Sequence, residues 1–309
     1  MNNVEPSPAS GAQWTISASG HEAVVVEVGG GLRAYRHDDV DYLDGYAVDE
    51  VCPGSAGQVL APWPNRIRDG RYTFDGVGYR LALTEPERGV ALHGLVNWSR
   101  WRLVEQTPDA VTVEYDLPPQ PAYPWALRVR GRWSVGPDGL RVEHEATNLA
   151  AATAPFGFSV HPYLRLPGVA VDDLTLVVPA RKRLVVDSRL LPVGATPVAG
   201  TEYDYTEPRR IGDAQLDAAF GEIVRDADGG SAVSLTGPDG SAGVTVWADR
   251  QFGWWQVFTG DALTGKRHRR SVAVEPMTCP PDAFRSGRDL IKLAPGETWR
   301  GAWGIRPGV

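Results

Sequence analysis

The sequence predicts an all-β protein built as one large antiparallel β-sandwich, and three observations predict it. Glycine (35) and proline (25) together make up about 19% of the 309 residues, against a background of roughly 12%, and punctuation that dense suits many short strands joined by turns. Short segments with period-two alternation recur along the chain and end in turn residues. No stretch longer than about ten residues keeps a helical period. Only Ala214 to Phe220 reads as one or two helical turns, with Asp217 by default at a helix start.

Taken in order, residues 1–13 are small and polar and read as a disordered tail, and 14–309 read as a single domain. No Pro/Ser-rich linker and no fixed-period repeat divides them. Residues 110–115 alternate and are closed by Asp116-Leu117-Pro118-Pro119. Residues 127–135 alternate again, turn at Gly136-Pro137-Asp138-Gly139, and resume at 140–145, a strand–turn–strand signal. The same pattern returns at 232–235, turn Gly237-Pro238-Asp239-Gly240, then 243–247. Trp254 and Trp255 are adjacent, so a regular strand points them to opposite faces and only one is expected near a ligand.

Composition excludes several classes. A net charge of −7 argues against general nucleic-acid binding, which draws its affinity from neutralised phosphates. The one basic run, Lys266-Arg267-His268-Arg269-Arg270, reads either as a solvated loop or as an anion-attracting edge beside a site. Cys52 and Cys279 resemble no metal or redox motif, which points to a reduced, cytoplasmic protein. The N-terminus has no secretory features, and no apolar run approaches the roughly 18 residues that span a bilayer. Phosphate-loop, dinucleotide, nucleophile-elbow and zinc-spacing motifs are all missing, so neither a cofactor nor a metal is expected.

Three segments break the alternation with unusual polar density: 62–70, 156–163 and 274–284. His161 is either a satisfied half-buried side chain or a proton donor and acceptor working near its own pKa. Pro162 biases it toward extended backbone. Glu275 shares a face with Ala273 and Ser271, opposite Val272 and Val274. As an acid ending a buried-looking strand it needs partners or a raised pKa, unless it is a rim carboxylate. His93 precedes a flexible Gly94 and is equally ambiguous alone. Arg66 is either a surface residue or a fork for hydroxyls and carboxylates. Forked polar groups among many aromatic faces suit carbohydrate.

Asn65-Arg66-Ile67 with Gly70, Leu92-His93-Gly94, His161-Pro162-Tyr163, Leu216-Asp217-x-Ala219-Phe220 and Glu275-Pro276-Met277-Thr278 resemble, in that order, the aldose 1-epimerase (galactose mutarotase) family. Leu293-x-Pro295-Gly296-Glu297 and Gly301-x-Trp303-x-Ile305 extend the resemblance, which covers nearly the whole chain. It implies a galactose mutarotase-like supersandwich with an open cleft on one sheet. It further implies Glu275 as catalytic base, His161 as catalytic acid, and His93, Arg66 and Asp217 as residues that hold the sugar. Asn65 and Gln256 match as further hydroxyl contacts. The implied reaction interconverts the α and β anomers of a free hexose by acid–base ring opening, with Glu275 ionised and His161 protonated at the start. The implied partner is a small sugar rather than nucleic acid or membrane, on a monomer or homodimer.

Two departures keep alternatives open. Leu164-Arg165-Leu166 stands where many members carry Phe and Asn, which bears on the pocket wall. Arg165 and the 266–270 run leave a hexose-6-phosphate epimerase as one alternative, and a non-catalytic sugar-binding protein is another. Pro280-Pro281-Asp282-Ala283-Phe284 reads as a rigid turn holding the end of the Glu275 strand.

Overall fold

The predicted alternation becomes strands in a computed structural model, which describes residues 7–308. Ala110–Leu117, Leu127–Gly136 and Gly139–Asn148 form consecutive antiparallel neighbours. Leu127, Val129, Trp133 and Val135 face inward, while Arg128, Arg130 and Arg132 alternate outward. Ser231–Thr236 and Gly243–Ala248 pair across the second predicted turn. All five belong to a nine-stranded sheet, and the strand Thr298–Pro307 inserts between Gly139–Asn148 and Gly243–Ala248.

A second, eight-stranded sheet contains, among others, Ala180–Val186, Asp217–Ile223, Trp254–Phe258 and Val272–Met277, with the short strands Ser159–Val160 and Tyr163–Leu164 on Val272–Met277. The core is one contiguous apolar cluster that joins the two sheets, with Val129, Trp133 and Val142 from the first and Val160, Phe220, Val257, Val272 and Val274 from the second. Burying two alternating faces against each other is the usual solution for antiparallel sheets. The four-stranded N-terminal sheet Gln13–Ala18, His21–Val26, Leu32–His37 and Val40–Asp41 packs beside it. Among the described residues no helix is long and apolar enough to cross a membrane.

Two expectations change. The helical turns expected from Ala214 to Phe220 are instead the strand Asp217–Ile223, with Asp217 at a strand start. Ala180–Val186 and Trp254–Phe258 pair with its two edges and take up its backbone groups, and Gly221 is poor helix material that leaves room for the Trp254 ring. Sheet context overrides a weak local preference. Of the tail expected over 1–13, residues 1–6 lie outside the described residues. Ser10 is already buried, its hydroxyl donating to the Val48 carbonyl at 2.7 Å, and Gln13 begins the first strand. Cys52 and Cys279 are both free and buried.

Candidate active site

The eight-stranded sheet carries the polar residues, and its register explains how they meet. Gln256 stands directly opposite Glu275, and Ala219 opposite Gln256, so Asp217, two residues before Ala219, shares their face. Val272 and Val274 turn into the main core, as the alternation predicts, while Ala273 joins a small cluster with Tyr163 on the other face. Glu275 is 2% exposed.

His161 lies between the two short strands that pair with Val272–Met277. Its amide donates to the Gln58 carbonyl at 3.2 Å, and its carbonyl accepts from Gly57 at 2.8 Å. These bonds fix the backbone, so the imidazole is aimed: Nε2 stands 3.3 Å from Glu275 Oε1. The ring stacks on Tyr163, centroids 4.8 Å apart, and meets His93 edge-on at 5.4 Å.

His93 and Asn65 hold each other through two hydrogen bonds. The His93 amide donates to the Asn65 carbonyl at 3.0 Å, and the Asn65 amide donates to His93 Nδ1 at 3.3 Å. A neutral His93 therefore keeps its proton on Nε2 and remains a donor there. Gly94 serves contact rather than flexibility: at φ +82° a Cβ on it would stand 2.1 Å from the Ala61 carbonyl oxygen. Arg66 forks onto Glu85, Nε to Oε2 at 2.7 Å and Nη2 to Oε1 at 3.1 Å. Asp282 accepts at Oδ1 from the Arg68 amide at 2.9 Å and donates its own amide to the Arg66 carbonyl at 2.7 Å. Asp282, in the segment expected as a rigid turn after the Glu275 strand, thus ties that segment to the Arg66 strand, and Ala283–Ser286 forms a short helix there. Gln256 Nε2 donates to Asp217 Oδ1 at 2.5 Å.

All seven predicted residues, Asn65, Arg66, His93, His161, Asp217, Gln256 and Glu275, line one cleft of about 220 Å³. Tyr163, Phe258 and Leu263 add apolar wall to it. The sequence reading missed Glu85, Arg88 and Leu190, which also line the cleft. They sit on loops with no local pattern to mark them, and only the Arg66–Glu85 fork across the fold gives them away. Neither Trp254 nor Trp255 reaches the cleft: Trp255 fills the core and donates to Ser231, while Trp254 donates to Asp289. Leu164 is buried in the core and Arg165 lines a separate surface depression with Arg270, so neither walls the cleft. The basic run is committed elsewhere, Arg267 to Asp44 and Glu50, Arg269 to Asp172 and Asp261, Arg270 to Asp44.

Burial dominates the electrostatics. It raises the Glu275 carboxyl well above the ordinary range, with Asp217 adding and Arg66 opposing. It pushes the His161 imidazole down to about 3 and His93 well below its usual value. Asp217 is raised by burial, opposed by Arg66 and by the Gln256 hydrogen bond. Against the charged pair expected for Glu275 and His161, desolvation favours both neutral forms. Protonated imidazole with carboxylate, and imidazole with carboxylic acid, are two tautomers holding the same single proton. Among the described residues, Glu275 Oε2 and Gln256 Oε1 are buried without a hydrogen-bond partner, and buried polar groups of this kind call for a water or ligand partner.

An antiparallel β-supersandwich with a polar cleft on one sheet is the galactose mutarotase-like architecture. The chain belongs to the aldose 1-epimerase family, whose model matches residues 12–306. It is 32% identical over 292 residues to the uncharacterised protein YihR of Escherichia coli (strain K12), covering 94% of this chain and 92% of that one. It is 31% identical to the galactose mutarotase of Rattus norvegicus over 166 residues, 50% of this chain and 46% of the relative. The crystal structure of a putative aldose 1-epimerase from Escherichia coli K12 superposes with a TM-score of 0.82 at 22% identity, covering 96% and 98% of the two chains.

Proposed function

We propose that the chain is an aldose 1-epimerase that interconverts the anomers of a free hexose of the glucose or galactose type, with Glu275 as base and His161 as acid. The observation that carries this reading is the 3.3 Å approach of His161 Nε2 to Glu275 Oε1 in a cleft that Arg66, His93, Asn65, Asp217 and Gln256 also line. In ring opening, Glu275 takes the proton of the C1 hydroxyl while His161 gives its proton to the ring oxygen as the C1–ring oxygen bond breaks. The product is the open-chain aldehyde. Rotation about C1–C2 presents the other carbonyl face, and the reversed transfers close the ring.

Each half-reaction exchanges one tautomer of the pair for the other, so no proton enters or leaves. Opening converts carboxylate and imidazolium into carboxylic acid and imidazole, the neutral form that burial favours. The low-dielectric cleft thereby stabilises the aldehyde complex. His93 Nε2–H and Arg66 are donors for sugar oxygens on which negative charge develops. Asp217, Gln256 and Asn65 hold further hydroxyls, and Phe258 offers an apolar face to the ring.

The free-hexose reading is supported over the phosphosugar alternative by Arg165 and the 266–270 side chains not being among the residues that line the cleft. A non-catalytic binder has no need of a close imidazole–carboxylate pair. Polarimetry on freshly dissolved α-D-glucose and α-D-galactose tests the reading. The native chain is expected to accelerate anomer exchange, and Glu275→Gln and His161→Asn each to lose roughly 10²–10⁴ in rate. A folded native chain no faster than buffer on either sugar rejects it.

A further inference from the structure

Two loops distant in sequence, 85–89 and 187–191, form the wall of the cleft that carries Glu85, Arg88 and Leu190. They are joined by a reciprocal clamp. Arg88 Nη1 donates to the Ser188 carbonyl at 3.1 Å. Arg189 answers with Nε to the Arg88 carbonyl at 2.7 Å and Nη2 to the Gly89 carbonyl at 2.8 Å. Arg189 Nη2 also reaches Asp69 Oδ1 at 2.7 Å. Asp187 Oδ1 accepts from the amides of Arg189 and Leu191 at 2.9 and 3.0 Å, which fixes the turn that carries Leu190 at φ +59°. Each arginine thus holds the other's loop.

The result is a fixed guanidinium. Arg88 Nε donates to Glu85 Oε1 at 3.0 Å, so Glu85 is shared between Arg66 and Arg88. Arg88 uses Nε and Nη1 in these bonds, and Nη2 has no partner among the described residues. A guanidinium held at two of its three nitrogens has already given up the freedom that binding costs a long side chain.

We infer that Arg88 is a substrate-contacting residue that sets sugar preference through Nη2, donating to an acceptor oxygen on the hexose, and that Arg189 is the positioning residue that aims it. The inference rests on the hexose reading above and adds the wall on which one hexose is distinguished from another. Leu190, on the same clamp, adds an apolar side chain to this wall. Arg189 does not line the cleft, so its influence passes through Arg88 and the 187–191 turn.

The test is a double-mutant cycle on the full chain, with KM and kcat from polarimetry and Kd from calorimetry, on α-D-glucose and α-D-galactose. Arg88→Met is expected to raise KM and Kd about tenfold for the better sugar with kcat within about twofold, the signature of one lost charged hydrogen bond made alike in ground and transition states. Arg189→Ala is expected to raise KM by roughly threefold, and the double variant to be no worse than Arg88→Met alone. Arg88→Lys, which keeps charge without the fork, should fall between native and Met. Unchanged Kd and KM in Arg88→Met, or additive effects in the double variant, overturn the inference. A native chain that binds hexose without converting it overturns the epimerase reading alone, and the Kd ratios then decide this one. A native chain that neither binds nor converts overturns both.

Discussion

At the scale of single residues, the pair His161 and Glu275 sets the pH behaviour. Burial holds His161 down to about 3 and Glu275 well above its ordinary range, so the pair keeps one proton over a wide window. A second proton is needed to stop the relay on the acid side. The acidic limb of kcat/KM is therefore expected well below pH 6.5, and a limb centred near 6.5, where an ordinary imidazole titrates, would sink the shared-proton mechanism. At this scale the residues alone left His161 and Glu275 ambiguous, and it was the ordered motifs of the family resemblance that singled them out. Their charge states were not legible, because desolvation depends on what covers a group. Arg88 was equally silent, since its two anchoring partners, Glu85 and the Ser188 carbonyl, come from a nearby turn and from a loop far along the chain.

At the scale of elements, glycines decide where backbones may touch. Gly94 and Gly76 have nearly the same φ, +82° and +79°. A Cβ on Gly76 would meet nothing within 4 Å, whereas on Gly94 it would stand 2.1 Å from the Ala61 carbonyl oxygen. Alanine at 76 should cost about 1 kcal/mol, the left-handed backbone term alone. Alanine at 94 should cost roughly 2–4 kcal/mol by urea unfolding, and should also raise KM because His93 is the next residue. Equal losses at both positions would show that backbone conformation, not contact, is what Gly94 supplies. The sequence flags Gly94 only as a flexible neighbour. Alternation legibly marked strands at 110–115, 127–135, 140–145, 232–235 and 243–247, where local period and pairing agree. It failed at 214–220, where a strand is made by the two neighbours that take up its hydrogen bonds.

At the scale of the whole molecule, closing two sheets on one core buries a histidine that the cleft does not use. His144 lies on the inner face of Gly139–Asn148, with Gly131 and Gly301 opposite it on the flanking strands. Gly131 leaves room for its ring, which packs against Trp133 and Phe158 at 5.5 and 4.6 Å between centroids, while Gly301 leaves room for Trp299. Its ring is buried, and burial holds it down to about 3, opposed by a hydrogen bond with the Arg130 backbone. This placement follows from how Thr298–Pro307 inserts into the sheet beside Gly139–Asn148, a pairing of distant segments that no local pattern announces. The consequence is a directed acid sensitivity. Below pH 6.5 the unfolded chain binds a proton at His144 that the folded chain refuses until about pH 3, so stability is full above 6.5 and falls as pH drops through that window. His161 and His93 act with the same sign, whereas Glu275 and Asp217, both raised, act with the opposite one. His144→Leu isolates one contribution: its unfolding free energy, measured in urea from pH 7.5 down to 4.5, should lose about 1.4 kcal/mol less per pH unit below 6.5 than the native chain. The two curves running parallel across that range would mean that the core histidine is protonated where it lies, or solvated there.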